Sequence, residues 1–209
     1  MSDQDPRPPR FSMIREFSLA DLITLGNGAC GVVSIFLCLQ YLADDERRFL
    51  WTAFFLLPTA FVLDALDGWV ARKTKSGSRL GGDLDSLADT VSFGVAPAVL
   101  AYTLGMNGAW DAAILVVFVL CGIARLARFN VTADELAGPT GKVKYFEGTP
   151  IPTSLAVVLV LGIAFWMDAV HADLWLGELR LGPWLLHPFV LLYGVSGSLM
   201  ISTIRIPKP

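Results

Sequence analysis

Charged residues are scarce in this chain. They make up 17% of its 209 residues, whereas hydrophobic residues make up 54%, and the mean hydropathy is +0.58. So little charge excludes an ordinary soluble domain of this length and is typical of a membrane protein.

Cysteine and histidine are also few. Cys30, Cys38 and Cys121 stand singly inside apolar stretches without CxxC spacing, which favours packing over metal binding or a disulfide. His171 and His187 have no second ligand at helical spacing, and this argues against a zinc site at either residue.

Long apolar runs dominate what remains. Six stretches are long enough to cross a bilayer as helices: 21–42, 49–71, 84–105, 109–129, 151–170 and 182–204. Six helices with short connections predict an all-α integral membrane bundle over residues 21–209, with no second domain.

The segment before the first span is different. Residues 1–10 are rich in proline and predict a disordered tail, whereas residues 11–20 predict an amphipathic juxtamembrane helix with Phe11, Ile14 and Phe17 facing lipid. The alternative is an unstructured tail that continues to the first span. No signal-peptide cleavage site follows the first apolar run.

Positive charge predicts the orientation, because Lys and Arg collect in cytoplasmic loops. With the N-terminus inside, only Arg47, Arg48 and Arg180 of the 16 Lys and Arg residues fall outside. The sequence therefore predicts a multi-pass protein of the cell (inner) membrane, with the loop between the second and third spans in the cytoplasm.

Four aspartates flank that loop. On a helix, Asp64 and Asp67 project from nearly the same side, and Gly68, Ala71 and Arg72 fall on or at the edge of it. The polar side of the second helix is therefore also a side with little bulk, which leaves room for a ligand close to the backbone.

Asp85 and Asp89 stand one turn apart on the next helix, so two helices present two aspartates each to a common space. Converging carboxylates repel one another unless cations lie between them, and oxygen ligands without Cys or His select Mg²⁺ or Mn²⁺. Two such ions suit phosphoryl chemistry. The alternative is that the aspartates are solvated residues at helix ends, with Asp83 and Asp85 capping the third span.

These residues also form a recognisable motif. The stretch DALDGWVARKTKSGSRLGGDLDSLAD resembles the signature of the CDP-alcohol phosphotransferase family, D-x-x-D-G-x-x-A-R followed by G-x-x-x-D-x-x-x-D. The resemblance implies a six-helix membrane enzyme and a homodimer. It further implies transfer of a substituted phosphate from a CDP-linked donor to an alcohol, with release of CMP and with two divalent metal ions.

The resemblance also assigns roles to residues. It implies that Asp64, Asp67 and Asp85 hold metal, and that Asp89 holds metal or acts as general base on the attacking hydroxyl. A CDP site is implied at four further signature positions, Gly68, Ala71, Arg72 and Gly81.

Other stretches bear on the acceptor. SLADTVSFGVAPA, TLGNGACG, ARLARFN and YFEGTPIP resemble the serine-using branch of that family, which implies CDP-diacylglycerol and L-serine as substrates and no nucleic-acid partner. Arg125 and Arg128 share a helix side, and guanidinium groups bind carboxylates bidentately, so the pair predicts an acceptor site. Ordinary positive-inside anchoring is the alternative for both arginines.

Two interpretations of the first helix stay open. Thr24 and Asn27 face the same side. They would contact either the CDP diphosphate or a metal-bound water, or else a neighbouring helix.

The function also has rivals. A related enzyme would use glycerol 3-phosphate or an inositol phosphate as acceptor. A divalent-cation transporter would use the same carboxylates as an ion path.

Overall fold

A computed structural model describes residues 17–74, 79–136 and 145–207 of the chain. Seven α-helices lie in these ranges: α1 (Leu19–Asp44), α2 (Arg47–Thr74), α3 (Arg79–Asp89), α4 (Ala96–Thr103), α5 (Ala109–Leu136), α6 (Ser154–Trp166) and α7 (Leu191–Met200). A π-helix (Thr90–Val95) joins α3 to α4, and short 3₁₀ turns occupy Ile151–Thr153, His171–Asp173 and Pro188–Val190.

Four spans within the described ranges are long and apolar enough to cross a membrane: Leu19–Asp44, Arg47–Thr74, Leu80–Thr103 and Ala109–Val131. They correspond to the first four predicted spans. The chain is therefore a mostly helical membrane protein, as its composition indicates.

The predicted fifth and sixth spans coincide with shorter apolar helices, Ile151–Trp166 and Pro188–Met200. The sixth is short because Gly182 (φ 69°) and Pro183 form a turn and helical structure begins only at Pro188. A count of six spans thus stays a prediction.

Short strands are a feature that the all-α prediction did not include. β1 (Tyr145–Glu147) pairs antiparallel with β4 (Arg205–Pro207), and β2 (Leu179–Leu181) pairs antiparallel with β3 (Trp184–Leu186). Both pairs lie outside the long helices. The sequence reasoning did not detect them because it counted apolar residues, and strands of three residues add almost nothing to such a count.

The start of α1 is fixed by a capping box. The backbone N–H of Asp21 donates to Ser18 Oγ (3.2 Å), and the backbone N–H of Ser18 donates to Asp21 Oδ2 (2.7 Å). This reciprocal pair satisfies N–H groups that the first helical turn leaves without partners. Residues 1–16, which hold the predicted tail and most of the predicted juxtamembrane helix, lie outside the described residues, and Leu19 and Ala20 belong to α1.

The third span is interrupted by the π-helix immediately after Asp89. Ala96, the first residue of α4, donates its backbone N–H to the carbonyl of Val91, five residues back. Pro97 follows and has no N–H to donate, and Gly94 has no side chain that resists the wider turn. The π-helix rotates Asp85 and Asp89 relative to α4, and such turns recur at functional sites.

Helix α1 packs closely along α2 and along the α3–π segment, which fixes the relative positions of the polar residues on these elements. An added Cβ at Gly28 would lie 3.4 Å from Ala88 Cβ, and one at Gly31 would lie 2.8 Å from Ser92 Cα. Small residues on α1 therefore bring its backbone next to the helix that carries Asp85 and Asp89.

Candidate active site

Three carboxylates meet where α2 approaches α3. Asp64, Asp67 and Asp85 each offer one oxygen, and these oxygens all lie within 4.8 Å of one another. Asp64 and Asp67 share a side of α2 because they are three residues apart, and Asp85 faces them from α3. We call these three residues the carboxylate cluster.

The fourth predicted aspartate lies beside the carboxylate cluster and is not one of its three members. Asp89 is buried at the last residue of α3, and it interacts electrostatically with Asp64, Asp67 and Asp85. Asp89 lies one turn after Asp85 on α3, a position compatible with either of its predicted roles, metal ligand or general base.

The cluster fits a divalent cation. Asp85 Oδ1 is buried and has no hydrogen-bond partner among the described residues, a costly state for a carboxylate oxygen. Three convergent carboxylates without Cys or His form a donor set that Mg²⁺ or Mn²⁺ prefers. The described geometry therefore supports a metal site at Asp64, Asp67 and Asp85, whereas a ligand role for Asp89 stays a prediction.

Thr24 and Asn27 on α1 each donate to one of the aspartates. Thr24 Oγ1 lies 2.5 Å from Asp67 Oδ2, and Asn27 Nδ2 lies 3.1 Å from Asp89 Oδ1. Of the two sequence interpretations, the structure agrees with contact to a neighbouring helix, and contact with the CDP diphosphate stays a prediction.

The residues predicted to bind CDP lie on the two helices that carry the cluster. Gly68, Ala71 and Arg72 follow Asp67 on α2, and Gly81 precedes Asp85 by about one turn of α3. The Arg72 guanidinium folds back over Gly68, since an added Cβ there would lie 3.2 Å from Arg72 Nη1. Gly68 thus makes room for Arg72, whose side chain stays exposed at the edge of the cluster.

The two predicted acceptor residues differ in burial. Arg125 is half-buried on α5, interacts electrostatically with Asp89, and its guanidinium carbon lies 5.4 Å from the centre of the Phe129 ring. Arg128 is exposed. The structure therefore distinguishes two arginines that the sequence treats as equivalent.

One pair of polar residues near the site was missed by sequence reasoning. Ser86 on α3 and Asn130 on α5 are hydrogen-bonded, with Asn130 Nδ2 3.0 Å from Ser86 Oγ. The pair links the aspartate helix to the arginine helix. Both residues stand in stretches that carry the family resemblance, SLADTVSFGVAPA and ARLARFN, but only the fold brings them together.

Comparison with known proteins agrees with this arrangement. Residues 17–193 match the sequence profile of the family described as CDP-alcohol phosphatidyltransferase. The chain is 44% identical over 203 residues to a CDP-diacylglycerol–serine O-phosphatidyltransferase of Saccharomyces cerevisiae, and the match covers 95% of this chain and 74% of the relative.

Two further relatives are similar over much of their length. A CDP-diacylglycerol–serine O-phosphatidyltransferase of Bacillus subtilis is 32% identical over 190 residues, covering 89% of this chain and 88% of that protein. An archaetidylserine synthase of Methanothermobacter thermautotrophicus is 37% identical over 160 residues, covering 75% of this chain and 61% of that protein.

Proposed function

Because the chain belongs to the CDP-alcohol phosphatidyltransferase family, we propose that it transfers the phosphatidyl group of CDP-diacylglycerol to the hydroxyl of L-serine, giving phosphatidylserine and CMP. The observation that carries the proposal is the 44% identity, over 95% of the chain, to a relative named for this reaction. The carboxylate cluster supplies the matching chemistry.

The reaction needs a base and a place for the leaving group. Asp89 takes the proton from the serine hydroxyl, whose oxygen then bonds to the phosphorus that carries diacylglycerol. The bond from that phosphorus to the oxygen bridging to CMP breaks, and CMP leaves with the electron pair. The burial of Asp89 beside the cluster supports its assignment as the base.

Asp64, Asp67 and Asp85 would hold Mg²⁺ or Mn²⁺, and we propose two ions. When bound, such ions neutralise phosphate oxygens and stabilise the charge on the departing CMP. The chain's own contribution is to hold the three carboxylate oxygens within 4.8 Å of one another, so that repulsion among them favours cation binding.

The remaining residues bind the two substrates. Gly68, Ala71, Arg72 and Gly81 line the CDP side of the cluster. Arg125 binds the carboxylate of serine, because a half-buried guanidinium near Asp89 matches a planar carboxylate in charge and shape. Arg128 extends the positive charge toward the surface.

An acceptor panel tests the reaction. Purified protein would receive CDP-diacylglycerol with labelled L-serine, glycerol 3-phosphate or an inositol phosphate, and the lipid product would be separated and counted. We expect label in lipid from serine alone. Label in lipid from another alcohol, with none from serine, would contradict the proposed acceptor, and absence of CMP release with every alcohol would favour the transporter.

The membrane arrangement is a further part of the proposal. We propose that the two shorter apolar helices complete a six-helix bundle, preceded by the tail of residues 1–10 and by a juxtamembrane helix, predicted at residues 11–20, that ends before Leu19, where α1 begins. The carboxylate cluster faces the cytoplasm of a cell whose inner membrane holds the protein, and two copies form a homodimer.

Two labelling sites test the orientation. Lys73 and Glu178 are both exposed and lie toward opposite predicted sides. In intact cells a membrane-impermeant maleimide should label a Glu178→Cys variant and spare a Lys73→Cys variant. The opposite pattern would reverse the orientation, and the mass of the detergent-solubilised protein by light scattering would test the homodimer.

A further inference from the structure

Helix α1 carries no member of the carboxylate cluster. It nevertheless makes hydrogen bonds to α2 and to α3, the two helices that carry the four aspartates of the site. Thr24 and Asn27 lie three residues apart on one side of α1, and one contacts Asp67 on α2 while the other contacts Asp89 on α3. We propose that Thr24 and Asn27 are positioning residues that fix the orientation of these two carboxylates. This inference rests on the proposed function and assigns α1 its part in it.

The Thr24 bond selects one oxygen of Asp67. The hydroxyl has a single hydrogen and two acceptors nearby, Asp67 Oδ2 at 2.5 Å and the carbonyl of Ala20 at 3.1 Å. The shorter distance assigns the hydrogen to Asp67, and a hydrogen bond to an ionised acceptor is the stronger kind. With Oδ2 held by Thr24, rotation of the Asp67 carboxylate within the cluster is restricted.

Asn27 is held by hydrogen bonds of both its side chain and its backbone. Its side chain is fully buried and donates to Asp89 Oδ1, while its backbone carbonyl accepts a hydrogen bond from Ser92 Oγ at 2.9 Å. Asn27 Oδ1 has no partner among the described residues. Among the described residues, the bond to Asp89 therefore orients this side chain, and through it the Asp89 carboxylate.

Close packing of α1 against α3 and the π-helix restricts movement around the Asn27–Asp89 bond. Gly28 and Gly31 bring α1 against Ala88 and Ser92, which lie on either side of Asp89. A carboxylate held this way cannot rotate freely when a ligand enters, and removal of a hydrogen bond that orients a metal ligand typically lowers metal affinity or activity by about 10- to 100-fold.

This role differs measurably from direct contact with the CDP donor. If Thr24 and Asn27 act through the carboxylates, their loss lowers Mn²⁺ affinity or kcat and leaves the KM for CDP-diacylglycerol unchanged. If they touch the diphosphate, the donor KM rises while Mn²⁺ affinity in the absence of donor stays constant.

The variants are Thr24→Val, which removes the hydroxyl at nearly constant volume, Thr24→Ser, which restores it, and Asn27→Ala. Ser34→Ala is the matched control, because Ser34 is also fully buried on α1, about two turns beyond Asn27, and its hydroxyl has no partner among the described residues. Thermal stability of each purified variant would be measured alongside.

Mn²⁺ binding would be measured by electron paramagnetic resonance without either substrate, and kcat and both KM values would be measured by CMP release. We expect about 10- to 100-fold weaker Mn²⁺ binding for Thr24→Val and a similar loss of kcat for Asn27→Ala. Thr24→Ser and Ser34→Ala should match the parent protein.

A raised donor KM with unchanged Mn²⁺ affinity and kcat would overturn the proposal, as would parent-like values in Thr24→Val and Asn27→Ala. The Mn²⁺ measurement needs no turnover. If the parent protein failed to make phosphatidylserine, the proposed function would fall while the positioning of Asp67 by Thr24 would still be tested.

Discussion

Replacing Gly31 with alanine should damage catalysis from a position that contacts no substrate. The added Cβ would lie 2.8 Å from Ser92 Cα and 2.7 Å from Ser92 Oγ, and both the backbone of the π-helix and the hydroxyl bonded to Asn27 would have to move. Two carbon atoms pack without repulsion at about 3.5 Å, so α1 and the π-helix must separate by roughly 0.7 Å.

That shift is enough to break the neighbouring hydrogen bond. The Asn27 Nδ2 to Asp89 Oδ1 distance is 3.1 Å, and a lengthening of roughly 0.7 Å takes it past the range of a real hydrogen bond. Overpacking of this kind destabilises a protein by about 1–3 kcal/mol. A misplacement of about 1 Å at a catalytic group lowers the rate by up to about 100-fold.

The assay is steady-state CMP release with a parallel thermal unfolding curve. Gly26→Ala is the control on the same helix, because its Cβ would lie an ordinary 3.5 Å from Leu63 Cδ1. We expect Gly31→Ala to lose kcat and thermal stability and Gly26→Ala to lose neither. Parent-like kcat in Gly31→Ala would refute the view that the α1 packing distance controls the orientation of Asp89.

Three further changes have definite expected outcomes. Asp85→Asn should lower kcat by at least about 100-fold while the protein still folds, and near-normal turnover in a CMP-release assay would remove Asp85 from the metal site. Arg125→Lys should raise the serine KM by about 10- to 100-fold, the equivalent of about 1.5–3 kcal/mol, without changing the donor KM; a change in the donor KM alone would assign Arg125 to the lipid phosphate. Asp111→Ala should lower the free energy of unfolding by about 3 kcal/mol. The reason is that the fully buried Asp111 accepts hydrogen bonds from the Gly108 N–H and from both the backbone and the ring of His187. An unchanged melting temperature would contradict that structural role.

The four long apolar spans and the pairing of the aspartates on helix sides were predictable from sequence for one physical reason. Both depend on local periodicity: a run of about 20 apolar residues spans a bilayer, and carboxylates three or four residues apart share a helix side. The spacing of Asp64 and Asp67 therefore predicts from a single helical turn that the two carboxylates share a side.

Other parts of the site depend on contacts between distant residues. Asn27 and Asp89 are 62 positions apart, and His187 and Asp111 are 76 apart, so no local pattern pairs them. The π-helix was missed because hydropathy does not register the combined effect of Gly94 and Pro97 on backbone hydrogen bonding. The predicted sixth span (182–204) begins too early because the apolar residues of β3 (Trp184–Leu186) directly precede the apolar helix Pro188–Met200.

The most direct measurement quantifies CMP and phosphatidylserine in one reaction of the purified protein with CDP-diacylglycerol and L-serine, before and after exhaustive chelation of divalent cations. We predict equal molar amounts of the two products, both dependent on serine and both abolished by chelation and restored by Mg²⁺ or Mn²⁺. Release of CMP without a serine-containing lipid, or full turnover after chelation, would contradict phosphatidyl transfer at the carboxylate cluster.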